Sequence, residues 1–256
     1  MNSKAKLGDI DLRGVLVPAV LILTAQILSS WRGVDQYTLA TPVQIVLAGF
    51  EALLDGSLLY ATAQTLLSAL GGLALGTAFG VTIGLSLGLM PRVNKLLDLT
   101  IEMVRPIPSV ALIPIAMLIF GLGFRMEIAI IAFATGWPSL IFTRSAVVDV
   151  EPQLIEVSRA LGFGAISRAL KIILPAALPR ILLAFRLGIG TSLLVAVTVE
   201  IASNPIGVGS TMMLAQQALN PALTLALLIW MGLLGWGLRV ISTLLQKRLF
   251  GVYVAR

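Results

Sequence analysis

Within a chain that is 58% hydrophobic and only 12% charged, four charged side chains crowd into one stretch, EVSRALGFGAISRALKIILP, from Glu156 to Pro175. These are Glu156, Arg159, Arg168 and Lys171, and the chemistry open to them is recognition by charge and hydrogen bonding, not covalent catalysis. Each charge would cost about 3 kcal/mol or more in hydrocarbon, so the stretch belongs in water between two membrane spans. Its local pattern reads as two short helices with a break. Pro152 suits a first helical turn, and Asp149, Glu151 and Glu156 lie near its start, where the helix dipole favours negative charge. Gly162 suits a left-handed closing residue, Gly164 loosens the link, and the second piece is expected to end before Pro175. Leu154, Ile155, Val157 and Leu161 give the first helix an apolar stripe while Arg159 stays polar, as expected of a knob that docks into a groove on a soluble partner. An ordinary amphipathic loop is the alternative.

The elements that hold this stretch are membrane spans. With 256 residues and a mean hydropathy of +1.00, the chain reads as one all-α polytopic membrane domain, 1–256. A net charge of +6 suggests nucleic acid at first sight, but no basic run is interleaved with aromatics, and nucleic acid is discounted as a partner. The absence of Cys and His removes disulfides, thiol nucleophiles and the commonest zinc ligands. No metal site is expected, and no catalytic residue.

Six spans are expected. Residues 14–30 form the first, its apolar stretch longer than that of a secretory signal, so it reads as an uncleaved anchor despite the small residues Ser29 and Ser30. Pro42 to Leu54 reads as an amphipathic piece lying along the outer interface, so that 1–55 holds the first span and this helix, and 56–250 the core with the loop 149–175. Span two runs from Tyr60 to Met90 and carries Gly72, Gly76, Gly80, Gly84 and Gly88 at every fourth position, a ridge that lets another helix approach closely. Span three, Pro106 to Gly121, contains Pro106, Pro108 and Pro114 and must expose freed carbonyls to protein or to a wet cavity. Spans four, five and six are expected at Met126–Ala146, Ile181–Ile201 and Ala222–Leu245.

Positive charge orients the bundle. Arg32 and Arg125 fall in outer loops, whereas Lys4, Lys6, Arg13, Arg92, Lys95, Arg105, Arg144, Arg159, Arg168, Lys171, Arg180, Lys247, Arg248 and Arg256 fall in inner ones. Both termini and the 149–175 loop are therefore expected in the cytoplasm, the compartment that holds ATP. No GxxxxGK[ST] phosphate loop occurs in the chain, so any ATP hydrolysis belongs to another polypeptide.

Glu156, Gly162, Ile172, Leu174 and Pro175 stand at the spacings of the signature loop of bacterial ATP-binding-cassette importer permeases, which the chain resembles. Val157 and Ser158 replace the two alanines of that pattern. The phrases RPIPSVALIPIAMLIFGLG, LPAALPRILLAFRLGIG and VAVTVEIASNPIGVG are also similar to the nitrate, sulfonate and taurine branch, so the resemblance covers nearly the whole chain. It implies a six-helix type I importer permease with a cytoplasmic coupling helix, in which Glu156, Val157, Ser158, Ala160, Leu161, Gly162, Ile172, Leu174 and Pro175 contact an ATPase. It further implies two ATPase subunits carrying ATP and magnesium, a second permease copy in a homodimer, an extracytoplasmic solute-binding protein, and a small anionic solute. The implied location is the bacterial inner membrane, in contact with lipid.

Along the pathway, Glu200 near the outer end of span five could line a gate, pair with a cation or sit at the water interface. Asn204, Pro205, Gly207 and Gly209 follow it and suit either a bent gate or ordinary loop punctuation. Arg186 could attract an anion or snorkel to the inner surface. Trp137, Trp230 and Trp236 read as packing or interface anchors, and Ser109, Thr135 and Ser139 either face a polar path or bond neighbouring helices. An intramembrane hydrolase lacks its paired groups here. A secondary transporter or channel acting without an ATPase remains the alternative, hinted at by Glu200 and the proline-rich span.

Overall fold

A computed structural model of the chain describes Thr24 and residues 40–254. Apart from Thr24, the expected first span, 14–30, lies outside them, as do the charges Lys4, Lys6, Arg13, Arg32, Asp35 and Arg256. The described residues form helices and no strand, and they make two compact units: one of residues up to Leu58 with Met212–Trp230, the other of Leu59–Thr211 with the residues from Met231.

In the first unit, α1 (Pro42–Leu54) opens on a reciprocal cap. The Thr41 hydroxyl accepts the Gln44 amide at 3.3 Å, and the Gln44 side chain accepts the Thr41 amide at 2.9 Å, with Pro42 filling the first helical position. The helix ends at Asp55, followed by Gly56 at φ +79°. Gly49 faces Ala226, near the start of α10 (Pro221–Val254).

The second unit is built on α2 (Ser57–Leu89) and α5 (Phe124–Val148). A Cβ added at Gly72 would lie 2.5 Å from Ile131, at Gly80 2.6 Å from Ser139, at Gly84 2.9 Å from Thr143 and at Gly88 2.6 Å from Val147; one at Gly76 would strike Thr135. The glycine ridge therefore lies directly on a matching ridge of Ile131, Thr135, Ser139, Thr143 and Val147, also spaced by four. Close approach of this kind replaces the missing hydrophobic drive between helices in lipid by dispersion contacts. Both ridges ascend together, so α2 and α5 run in the same direction. The residues between them must recross the bilayer.

That return departs from the expected third span. Instead of one helix from Pro106 to Gly121, the amphipathic α3 (Pro91–Val104) turns by 86° into a short 3₁₀ piece, Ser109–Leu112, and α4 (Ile113–Phe120). Pro106 and Pro108 mark the break: neither has an amide donor, Arg105 before the first is still helical at φ −53°, ψ −41°, and Pro108 is extended at φ −61°, ψ 121°. Four described helices are long and apolar enough to span, or up to five with the bent pair counted as one span.

α8 (Leu174–Ala202) packs antiparallel along α5, with the two ends joined near Val150 by an apolar cluster of Ala146, Val147, Ile173, Ala177 and Ile181. The second piece of the polar loop does not end before Pro175. Helix α7 (Ala165–Arg168) passes through a π turn, Ala169–Ile173, straight into α8, making one helical run from Ala165 to Ala202. The widened π turn accommodates the proline, whose ring would otherwise meet the carbonyl four residues back and whose missing amide would break the ladder.

Candidate functional site

The polar loop folds into a knob. Helix α6 (Pro152–Ala160) is closed by a Schellman arrangement: the Phe163 amide donates to the Ser158 carbonyl at 3.0 Å and the Gly162 amide to the Arg159 carbonyl at 2.9 Å, with Gly162 at φ +72°. Lys171 sits over the Phe163 ring, 5.5 Å from its centroid, which ties the second piece to the first. Ile155 tucks into the apolar cluster beneath, anchoring one side of α6. The other side is bare: Leu154, Val157 and Leu161 are 41%, 56% and 65% exposed, and Glu156, Ala160 and Gly162 are exposed beside them. Ser158 is fully buried, its hydroxyl donating to the Ile155 carbonyl at 2.6 Å. Of the two departures from the alanine pair, only Val157 thus alters the outward face. Ile172, Leu174 and Pro175 are half-buried at the base, where Leu174 packs on the cluster.

The knob is clipped to α8 by an ion pair between Asp149 and Arg180, both about half exposed. The hydrogen bond from Arg180 holds the Asp149 carboxyl below the usual carboxylate range. A carboxylate lowered on folding stabilises the native state above its unfolded value of 3.8 and loses that contribution as pH falls through the folded value. Knob order, read as amide exchange over 150–162, is therefore expected to be flat from pH 8 to 5 and to loosen only below about pH 4, with Asp149→Asn showing no such step.

At the opposite end of the unit, the start of α9 (Val208–Gln217) is capped entirely by side chains. The amides of Gly207, Val208 and Gly209 donate to Gln64 Oε1 at 3.1 Å, Thr65 Oγ1 at 2.9 Å and Glu200 Oε2 at 2.7 Å. Glu200 is only 2% exposed, which removes the interfacial reading of it. A carboxylate at a helix N-terminus complements both the orphan amides and the dipole. Asn204 is equally buried, and its amide donates to Glu127 Oε2 at 2.6 Å. Glu127, fully buried and within hydrogen-bonding reach of Glu200 and Ser68, escaped the sequence reading because it falls at the edge of a span, where a carboxylate passes for an interfacial group.

The Arg186 guanidinium donates to Gln246 Oε1 at 2.8 Å, and the Gln246 amide donates to the Leu182 carbonyl at 3.3 Å. Ser109 lines an open cavity of about 490 Å³, together with Arg105 and residues of mid-α5 and mid-α8. Pro138 lies inside α5, leaves the Ala134 carbonyl without its helical donor, and lines this cavity together with Ala134.

Residues 76–250 match the family described as the binding-protein-dependent transport system inner membrane component. The chain belongs to that family. Its relatives include the Bacillus subtilis (strain 168) permease protein SsuC, named for aliphatic sulfonates transport, 36% identical over 80% of this chain and 75% of its own length. The taurine transport system permease protein TauC of Escherichia coli (strain K12) is 28% identical over 90% and 86%. Among solved structures, the MetNI methionine ABC transporter in an inward-facing conformation superimposes with a TM-score of 0.67 at 18% identity, covering 75% of this chain and 95% of that one, a likeness of fold. The chain is thus an all-helical, multi-pass inner-membrane permease of the ATP-binding-cassette importer type.

Proposed function

We propose that this permease carries a small oxyanion, of the sulfonate, taurine or nitrate kind, across the membrane, driven by ATP hydrolysed on a separate subunit that receives the α6 knob. The observation that carries the reading is the exposed apolar stripe of Leu154, Val157 and Leu161 outside every span, beside the exposed Glu156. Such a face is anomalous on a lone protein and suits an amphipathic helix seated in a groove. In this reading the assembly holds two ATPase subunits with ATP and magnesium, a second copy of this permease as a homodimer, and an extracytoplasmic binding protein that delivers the solute; membership of a binding-protein-dependent family supports the last of these. Both termini then lie in the cytoplasm, on the side of the knob. The names of the sulfonate and taurine relatives support the solute class.

The test is purification of the permease from its native membrane, with the co-purifying ATPase identified and assayed. Glu156→Ala and Gly162→Ala are expected to keep the protein inserted while lowering co-purified ATPase at least about fivefold; alanine at Gly162 meets no neighbour, so its effect comes from strain of about 1–2 kcal/mol at φ +72°. A permease that moves solute in liposomes with no ATPase present would instead favour a secondary transporter.

A further inference from the structure

The clasp at the start of α9 leaves four oxygens uncommitted. Glu200 Oε1, Glu127 Oε1, Asn204 Oδ1 and Ser68 Oγ are all shielded from water, and none has a hydrogen-bond partner. They come from four segments: Ser68 from α2, Glu127 from the first turn of α5, Glu200 from the last turn of α8, and Asn204 from the turn that follows it. Ser68 and Glu127 are 0% exposed, Glu200 and Asn204 2%. Glu127 joins them. It accepts the Asn204 amide on Oε2 at 2.6 Å and lies within hydrogen-bonding reach of both Glu200 and Ser68, yet the Ser68 hydroxyl closes no bond.

Two carboxylates side by side repel one another, and burial removes the water that would screen them. Neither forms an ion pair among the described residues. Asn204 has already given its amide to Glu127, so the cluster presents oxygens and lacks positive charge. Two carboxylates with an amide carbonyl and a hydroxyl are the ligand types of a hard cation. Charge balance against two carboxylates calls for a dication. Burial favours Ca²⁺, which accepts irregular sets of protein oxygens, over Mg²⁺, which keeps several waters. The backbone also holds the set in shape. A Cβ at Gly207 would strike the Glu200 carboxyl, and one at Gly209 would lie 2.8 Å from Glu200 Cβ, so the start of α9 closes around this side chain and keeps it from swinging away.

We propose that Glu127, Glu200, Asn204 and Ser68 bind one divalent cation of the Ca²⁺ kind at the end of the unit opposite the knob. The cation ties α2, α5 and α8 at a single point. The bond to the Gly209 amide uses Glu200 Oε2, so it persists whether or not Oε1 holds the cation. The inference goes beyond the transport reading and requires neither solute nor ATPase. Sequence reading left a cation open as a partner of Glu200 but expected no metal site, because Ser68, Glu127 and Glu200 lie far apart in the chain and no spacing joins them.

The test is equilibrium dialysis of the full chain, purified in detergent and stripped with a chelator, against radioactive calcium, with thermal unfolding measured beside it. Saturable uptake of one Ca²⁺ per chain is expected, with a rise in melting temperature, and Mg²⁺ and Na⁺ should compete at least about tenfold more weakly. Glu127→Gln, which keeps the shape of the side chain, is expected to weaken Ca²⁺ at least about tenfold, and Ser68→Ala about threefold. Glu102→Gln, in the separate acidic cavity with Asp98 and Asp149, is the control and should bind as wild type does. Wild-type affinity in both Glu127→Gln and Ser68→Ala, a loss in Glu102→Gln, or equal competition by Na⁺ or Mg²⁺ would each overturn the proposal. So would absence of saturable uptake, which would mean that a proton bridges the two carboxyls instead. None of these outcomes touches co-purification of the ATPase, so the permease reading stands or falls separately.

Discussion

Gly80→Ala is expected to destabilise the permease by about 3 kcal/mol, and Gly80→Val to leave little folded protein in the membrane. The added Cβ would lie 2.6 Å from Ser139 Cβ and 2.9 Å from the Leu140 amide nitrogen, and it would also meet the Gly136 carbonyl. Two of those three neighbours are backbone, which cannot rotate away. The helices must separate instead, and separation at one point of a ridge lifts the contacts at Gly76 and Gly84 with it. Gly190→Ala is the control, since a Cβ there meets nothing within 4 Å. The measurement is thermal unfolding of the detergent-solubilised protein beside its membrane yield. A Gly80→Ala protein that melts with Gly190→Ala and wild type would refute ridge packing as the main support of α2 against α5.

The second large effect concerns the cap of α9. Glu200→Ala removes the acceptor of the Gly209 amide and opens space beside Glu127, a loss of about 2–4 kcal/mol from an orphaned donor together with a void. Glu200→Gln keeps an acceptor oxygen for the same amide and presents an amide donor to Glu127. It is therefore expected to be near neutral. Hydrogen exchange over residues 207–211 distinguishes the two: at least about tenfold faster in the alanine variant and close to wild type in the glutamine one. A fast-exchanging glutamine variant would mean that the charge of Glu200, and not its acceptor oxygen, holds the start of α9.

The knob was legible in the sequence because charge in an apolar chain has few places to go, and Gly162 marked its end because a left-handed closing residue is nearly always glycine. The glycine ridge was legible from spacing alone. Its counterpart was not: Thr135, Ser139 and Thr143 are common inside spans, and nothing local shows that their period matches that of the glycines. The three prolines of the third span marked a fault, but an 86° turn is set by what the flanking helices pack against. Pro175 misled in the opposite sense. A proline ordinarily ends a helix at the residue before it, and the π turn that spares this one leaves no trace in residue types. Glu200 and Asn204 were legible as polar groups in the right place, but their burial depends on Gln64, Thr65 and Glu127, which reach them from distant segments.

The uninterrupted run from Ala165 to Ala202 has a mechanical meaning. Its 38 residues make a rod about 57 Å long, rooted in the knob at one end and carrying Glu200, the clasp of the next helix, at the other. A rod of that length converts a tilt of about 5° at its base into a sweep of about 5 Å at its tip. The run contains no loop, only the π turn and Pro179 as places to flex, so a push on the knob would be carried along it toward Glu200 at its other end.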